Sequence, residues 1–120
     1  MKPPLSFPAA VGLLLFALGA AVVGCYPKAG PAPGPVSANG VTSASTRWPG
    51  ATAASLAAGH DLFLAKCNGC HAYPDLAAVR NEEWQGIVES MGKKSHLDAD
   101  QRAEVLQFVL AKRSEHEGGG

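Results

Sequence analysis

Two of the three cysteines in this chain lie close together in the segment KCNGCHAYP, residues 66–74. Cys67 and Cys70 are separated by two residues, and His71 follows Cys70 directly. A Cys-x-x-Cys pair can act as a redox dithiol, as half of a zinc site or as an attachment point for haem. The residues around the pair must distinguish these three kinds of chemistry.

The surroundings of the pair favour haem over the other two chemistries. A thioredoxin-like dithiol belongs to a βαβ unit, whereas residues 55–67 carry apolar side chains at helical spacing. A structural zinc ion usually takes four soft or borderline ligands, and the chain has only one further cysteine, Cys25. Cys-x-x-Cys-His is the motif at which two thiols bind haem c covalently and the histidine binds its iron. The sequence therefore predicts one covalent haem c on Cys67 and Cys70, with His71 as the proximal iron ligand.

A second iron ligand is predicted on a later helix. Asn81 is a candidate cap and Gly92 a candidate stop, and the helix between them has one apolar face formed by Trp84, Ile87, Val88 and Met91. A methionine on such a face is ordinarily a core residue. Opposite a haem histidine, however, a methionine commonly binds the iron and raises the reduction potential. We therefore predict Met91 as the distal iron ligand.

The other histidines are the competitors of Met91. His96 follows Met91 by five residues, and ligation by two histidines would lower the reduction potential. His60 is expected to be a partly exposed helix residue, and His116 lies in the predicted tail. An open sixth position is the remaining alternative.

The N-terminus predicts export and a lipid anchor. Residues 1–24 contain one lysine and then an apolar run that is too short for a typical membrane-spanning helix, as in a signal peptide. The sequence that ends at Cys25, Val-Val-Gly-Cys, resembles a bacterial lipobox, which implies cleavage before Cys25 and lipidation of that residue. An uncleaved membrane anchor is the alternative. Either form places the rest of the chain outside the cytoplasmic membrane, tethered to a bilayer and facing the periplasm.

Composition sets the remaining boundaries. The chain has 120 residues with ten Lys and Arg against ten Asp and Glu, which allows one small domain and does not fit a nucleic-acid binder. Residues 25–46 are rich in Pro, Gly, Ala and Ser and predict a flexible linker. We expect the folded domain at residues 47–114 and a disordered tail at 115–120.

Residues 47–114 resemble a small class I cytochrome c. The resemblance rests on GHDLFLAKCNGCH at residues 59–71, on the helix that carries Trp84 and Met91, and on a final helix that begins LDADQRAEVLQFV. It implies an all-α fold in which three main helices surround a covalently bound haem c. In that family a glycine and an aromatic residue of the first helix cross two apolar residues of the last, here Gly59 and Phe63 with Val105 and Phe108.

The final helix also carries a start signal of its own. Asp98 and Gln101 are spaced as in a capping box, in which each side chain accepts a hydrogen bond from the backbone of the other residue.

Two residues are candidates for supporting the haem. The Pro74 carbonyl is a candidate acceptor for the ring N–H of His71, with a simple turn as the alternative. The Trp84 indole is a candidate donor to a haem propionate, although packing alone is the simpler expectation.

The resemblance implies a one-electron carrier with His/Met ligation that is not an enzyme, and whose partners are periplasmic or membrane redox proteins. The alternatives are an electron-transfer subunit of a larger periplasmic oxidoreductase, or a haem peroxidase or gas-sensing domain with an open distal site.

Overall fold

The computed structural model describes residues 29–68 and 72–118. Within these ranges the chain is helical, with an isolated β-bridge between Ala29 and Pro74 in place of any named strand, so the all-α prediction is confirmed. None of the described helices is long and apolar enough to cross a membrane. The elements are α1 (Ala38–Arg47), α2 (Ala53–Lys66), a short 3-10 helix (Leu76–Ala78), α3 (Asn81–Lys94) and α4 (Ala99–Glu117).

The C-terminal helix α4 is the centre of the fold, because every other helical element packs against it. Its crossing with α2 is close at Gly59, where an added Cβ would lie 2.9 Å from Phe108 Cβ and closer still to the Glu104 carbonyl group. The Phe63 and Phe108 ring centroids are 5.6 Å apart across the same interface, and Val105 is buried there. The predicted crossing of Gly59 and Phe63 with Val105 and Phe108 is confirmed.

Side-chain caps fix the starts of the helices. At α4 the predicted capping box is confirmed, since Gln101 N donates to Asp98 Oδ1 at 2.9 Å and Asp98 N donates to Gln101 Oε1 at 3.0 Å. At α3 the predicted cap, Asn81, is wrong by one residue. The backbone N–H of Arg80 donates to Glu83 Oε2 at 3.2 Å, and the Asn81 side chain is instead an acceptor for a residue of α4.

The end of α3 also differs from the prediction, because the helix passes Gly92 and continues to Lys94. His96 then adopts a left-handed conformation with φ of 60°, and its N–H donates to the Lys93 carbonyl at 3.1 Å. The N–H of Leu97 donates to the Gly92 carbonyl at 2.8 Å, which completes a Schellman motif. Gly92 lies inside the helix against the Arg102 side chain, which would have to move for a larger residue, since an added Cβ would lie 2.7 Å from it.

The predicted flexible linker is folded over the part that the structure describes. Residues 38–46 belong to α1, whose first turn is capped by Ser37 Oγ accepting from Gly40 N at 3.1 Å. The small buried residues Gly40 and Ala44 let α1 lie close to its neighbours, and Ala44 joins Ala51, Leu56 and Ala111 in a second, smaller core. Folding of residues 29–46 against the helices therefore extends the domain N-terminally of the predicted boundary at residue 47.

Residues 29–37, which we call the N-terminal strap, are held by backbone and side-chain hydrogen bonds. Gly30 N donates to the Tyr73 carbonyl at 2.7 Å, and Lys112 Nζ donates to the Pro35 carbonyl at 2.9 Å. Ser37 N donates to Glu115 Oε1 at 2.6 Å. Because α4 continues through Glu117, the predicted tail is also wrong for residues 115–117.

Candidate functional site

Cys67 lies at the C-terminal end of α2, where its N–H donates to the Phe63 carbonyl at 2.9 Å. Its half-buried side chain packs against the main hydrophobic core, and burial raises the pKa of the Cys67 thiol to about 11. The negative end of a helix also disfavours a thiolate. A redox-active dithiol needs the opposite, a lowered thiol pKa at a helix N-terminus. The environment of Cys67 therefore does not suit a thioredoxin-like reaction.

Cys70 and His71, the other two residues of the motif, lie outside the described residues, as does Cys25. Tyr73 and Pro74, which follow the motif, are held by hydrogen bonds and packing. Tyr73 Oη donates to the Leu64 carbonyl at 2.8 Å, and the Tyr73 ring stacks on Phe63 with centroids 5.8 Å apart. The adjoining Pro74 is buried and pairs with Ala29 of the strap. Both ends of the Cys-x-x-Cys-His loop are thus fixed to α2, and one of them is also fixed to the strap.

Met91 is at the same end of the molecule as Cys67. Ser95, one turn after Met91, donates from Oγ to the Lys66 carbonyl at 3.4 Å, and Lys66 is the residue before Cys67. Met91 itself is half-buried and extends the apolar face of α3, on which Trp84 and Val88 are buried and Ile87 is half-buried. The structure therefore brings Met91 and Cys67, two of the predicted haem-binding residues, to neighbouring helix ends.

The histidines differ in accessibility. His96 is exposed at the left-handed position that ends α3. His60 is half-buried, and its Nε2 lies 2.9 Å from the Pro33 carbonyl, so Nε2 carries the proton and donates to the strap. Its ring packs on Phe108 with centroids 5.1 Å apart. The His60 side chain therefore has a structural role in packing and in holding the strap. Within the described ranges, no three His, Cys, Asp or Glu residues are grouped so that they could hold a metal ion.

Trp84 carries an unsatisfied polar atom inside the core. The side chain is 1% exposed, yet its Nε1 has no hydrogen-bond acceptor among the residues that the structure describes. An unpaired buried donor costs about 1–3 kcal/mol, so such atoms normally have a partner. A carboxylate such as a haem propionate would supply the acceptor. A haem bound at this end of the molecule would use the Trp84 donor together with Cys67 and Met91, which lie at neighbouring helix ends.

Arg113 is a structurally important residue that the sequence analysis did not identify. Its side chain is buried, and the guanidinium donates to the carbonyls of Leu76 and Val79. Nε also donates to Asn81 Oδ1 at 2.6 Å. These contacts fix the segment that leads from His71 to α3. The spacing of Arg113, four residues after the buried Val109, could have placed it on the buried face of α4.

No protein-family model matches the chain, and comparison with curated proteins and with solved structures gave no match.

Proposed function

We propose that this protein is a membrane-tethered, periplasmic mono-haem cytochrome c that carries single electrons. The observation that carries the proposal is the Cys-x-x-Cys-His sequence of Cys67, Cys70 and His71, which begins where α2 ends. It is joined by an apolar face of α3 that ends at Met91 and contains a Trp84 N–H with no acceptor among the described residues. The position of Cys67 at the C-terminal end of α2, packed against the main core, supports this function over a thioredoxin-like dithiol, whose reactive cysteine lies at a helix N-terminus.

Each of these residues has a distinct role in the proposed site. Cys67 and Cys70 would hold the haem covalently, and His71 and Met91 would bind its iron. The haem, when bound, supplies a one-electron couple between ferric and ferrous iron. The thioether of Met91 favours the ferrous state, and the buried side chains of Trp84 and its neighbours on α3 exclude water.

The proposed ligand set favours a carrier over an enzyme. A peroxidase or a gas sensor needs an open distal position, which Met91 would occupy. An electron-transfer subunit of a larger oxidoreductase would use the same residues as a free carrier, so co-purification from membranes is the measurement that separates those two forms. The partners are redox proteins of the periplasm or membrane, and the bilayer is reached through a lipid on Cys25.

Covalent haem is the first test of the proposal. The full chain, expressed with export in a bacterium that matures c-type cytochromes, should carry haem that stays attached in a denaturing gel and in mass spectrometry. Cys70→Ser should lower the haem content or leave a single thioether. Cys25→Ser is the matched control, because it should remove the lipid and the membrane association while leaving the haem spectrum unchanged if the chain is still exported. An exported wild-type chain without covalent haem would overturn the proposal.

Absorption spectra then test the axial ligands. A low-spin ferric haem with a methionine-to-iron charge-transfer band is expected, and Met91→Leu should abolish that band. A high-spin wild-type spectrum that responds to carbon monoxide or peroxide would instead indicate a gas sensor or a peroxidase.

A further inference from the structure

We propose that the N-terminal strap, residues 29–37, is an orienting device that holds the Cys-x-x-Cys-His loop against the surface of the bilayer. This inference rests on the proposed lipidation of Cys25 and on the proposed haem site. It goes beyond those two proposals by specifying which face of the domain meets the membrane and why that face does so.

The strap is attached to the domain along its length. Its first residues pair with the segment that follows His71, through the Ala29–Pro74 bridge and the hydrogen bond from Gly30 to Tyr73. Its middle is held at Pro33, whose carbonyl accepts from His60 Nε2 at 2.9 Å.

Beyond Pro33 the strap is bound to α4. The Pro35 carbonyl accepts from Lys112 Nζ, and Ser37 N donates to Glu115 Oε1. Lys112 Nζ also contacts Glu115 Oε2 at 2.8 Å, and both side chains are only 18% exposed. Two carbonyls of the strap, those of Pro33 and Pro35, and two of its N–H groups, those of Gly30 and Ser37, thus have defined partners elsewhere in the domain. The strap is therefore a folded part of the domain.

A docked strap shortens the tether. Only four residue steps separate Cys25 from Ala29, which limits the distance between them to roughly 14 Å even for a fully extended chain. A linker that stayed free to residue 46 would have 21 steps and a root-mean-square reach on the order of 25 Å. The strap therefore confines the domain near the lipid instead of letting it sample a wide volume.

The short tether emerges from the domain close to the residues that follow the haem motif. Ala29 pairs with Pro74, which is three residues after His71, and the Cα atoms of such a pair lie about 5 Å apart. Tyr73 and Pro74, which follow the Cys-x-x-Cys-His sequence, are consequently on the side of the domain from which the proposed lipid tether would emerge. Such a placement suits a partner that is embedded in the membrane and exchanges electrons near the bilayer surface.

The test uses the lipidated holoprotein bound to vesicles of phosphatidylcholine and phosphatidylglycerol that contain a headgroup-labelled fluorescent lipid. Haem quenches the fluorophore steeply with distance, so quenching reports how near the haem lies to the bilayer. A 16-residue Gly/Ser insertion after Lys28 lengthens the tether without touching the strap. With a docked strap this insertion should remove most of the quenching. The same insertion after Gly118 should leave the quenching unchanged.

A pair of glycine variants tests the docking itself. An added Cβ at Gly30 would lie 2.8 Å from Asp75 Cα, whereas at Gly34 it would meet nothing within 4 Å. Gly30→Ala should therefore release the start of the strap, lower the quenching and abolish hydrogen-exchange protection of the residue 30 amide. Gly34→Ala should behave as the wild type in both measurements.

The outcomes separate the two proposals. Vesicle-bound haem protein whose quenching is the same with and without the insertion after Lys28 would overturn the orienting role of the strap and leave the cytochrome function intact. Unprotected exchange at Gly30 in the wild type would overturn it as well. A wild-type chain that lacks lipid or haem would overturn the proposed function, and the orienting role with it.

Discussion

Gly59→Ala is the most direct test of the helix crossing on which the fold depends. An added Cβ at Gly59 would lie 2.7 Å from the Glu104 carbonyl carbon and 2.9 Å from Phe108 Cβ, against a favourable carbon–carbon separation of about 3.5–4.0 Å. Glu104 contributes backbone atoms to this contact, which cannot rotate away as a side chain could. Helices α2 and α4 would have to move apart by several tenths of an ångström or more, in the best-packed part of the core.

The size of the effect can be isolated with a second glycine. Gly86 lies in the interior of α3, is exposed and has no atom within 4 Å of an added Cβ, so Gly86→Ala should stabilise the protein by about 1 kcal/mol through helix propensity alone. Gly59→Ala gains the same propensity but suffers overpacking, which typically costs about 1–3 kcal/mol. The free energies of unfolding of the two variants should differ by about that overpacking cost, with Gly59→Ala the less stable.

The assay is urea unfolding of the holoprotein, followed by circular dichroism and by haem absorption. If the unfolding free energies of the wild type, Gly59→Ala and Gly86→Ala depend equally on urea concentration, differences between their unfolding midpoints report differences in stability alone. A difference of about 1–3 kcal/mol corresponds to roughly 4–20 °C in melting temperature for a domain of this size. If Gly59→Ala proved as stable as Gly86→Ala, the close approach of α2 and α4 at Gly59 would be refuted.

Four further changes probe the end of α3, the segment before α3, the iron ligand and the strap. His96→Gly should stabilise the protein by about 1 kcal/mol in thermal unfolding, because glycine adopts a φ of 60° without the cost that a side chain carries, and a loss of stability would contradict the Schellman ending. Arg113→Met should destabilise the protein by about 2–4 kcal/mol in urea, since it leaves buried carbonyls without a donor; a change below 1 kcal/mol would show that water replaces the guanidinium. Met91→His should keep a low-spin haem but lower the reduction potential in a redox titration, and an unchanged potential would rule out Met91 as the ligand. Burial alone would raise the pKa of Glu115, but hydrogen bonds from Lys112 and Ser37 outweigh it and hold the pKa below the usual glutamate range. A lowered folded-state pKa stabilises the protein above the unfolded-state pKa and ceases to do so as pH falls through the folded-state value. Strap protection in hydrogen exchange should therefore weaken in acid for the wild type and show no such transition in Glu115→Gln.

The features that could be predicted from the sequence are those set by local or paired side-chain patterns. The capping box of Asp98 and Gln101 depends on two residues three positions apart, and both hydrogen bonds form as expected. The crossing at Gly59 was expected from the resemblance to class I cytochromes c, and it agrees with the physical rule that a residue without a Cβ lets two helices approach closely.

The features that could not be predicted depend on backbone groups. The strap is held at the carbonyls of Pro33 and Pro35 and at the N–H groups of Gly30 and Ser37, and these atoms are the same in every sequence of similar composition. A segment rich in Pro, Gly and Ala therefore has the composition of a flexible linker, even where the rest of the chain supplies its partners. Arg113 was missed for the same reason, because its acceptors are carbonyls distant in sequence.

The last turns of α4 connect the two halves of the proposed function. Lys112 and Glu115 hold the strap that leads toward the lipid anchor, while Arg113, on another side of the same helix, holds the segment that leads into α3 and Met91. Loss of helical structure after Ala111 would therefore release the strap and loosen α3 together. The geometry of the strap thus depends on the same helix as the position of α3, which carries the proposed iron ligand Met91. A mutation that unfolds only the end of α4 should thus affect both the distance of the haem from the bilayer and its reduction potential.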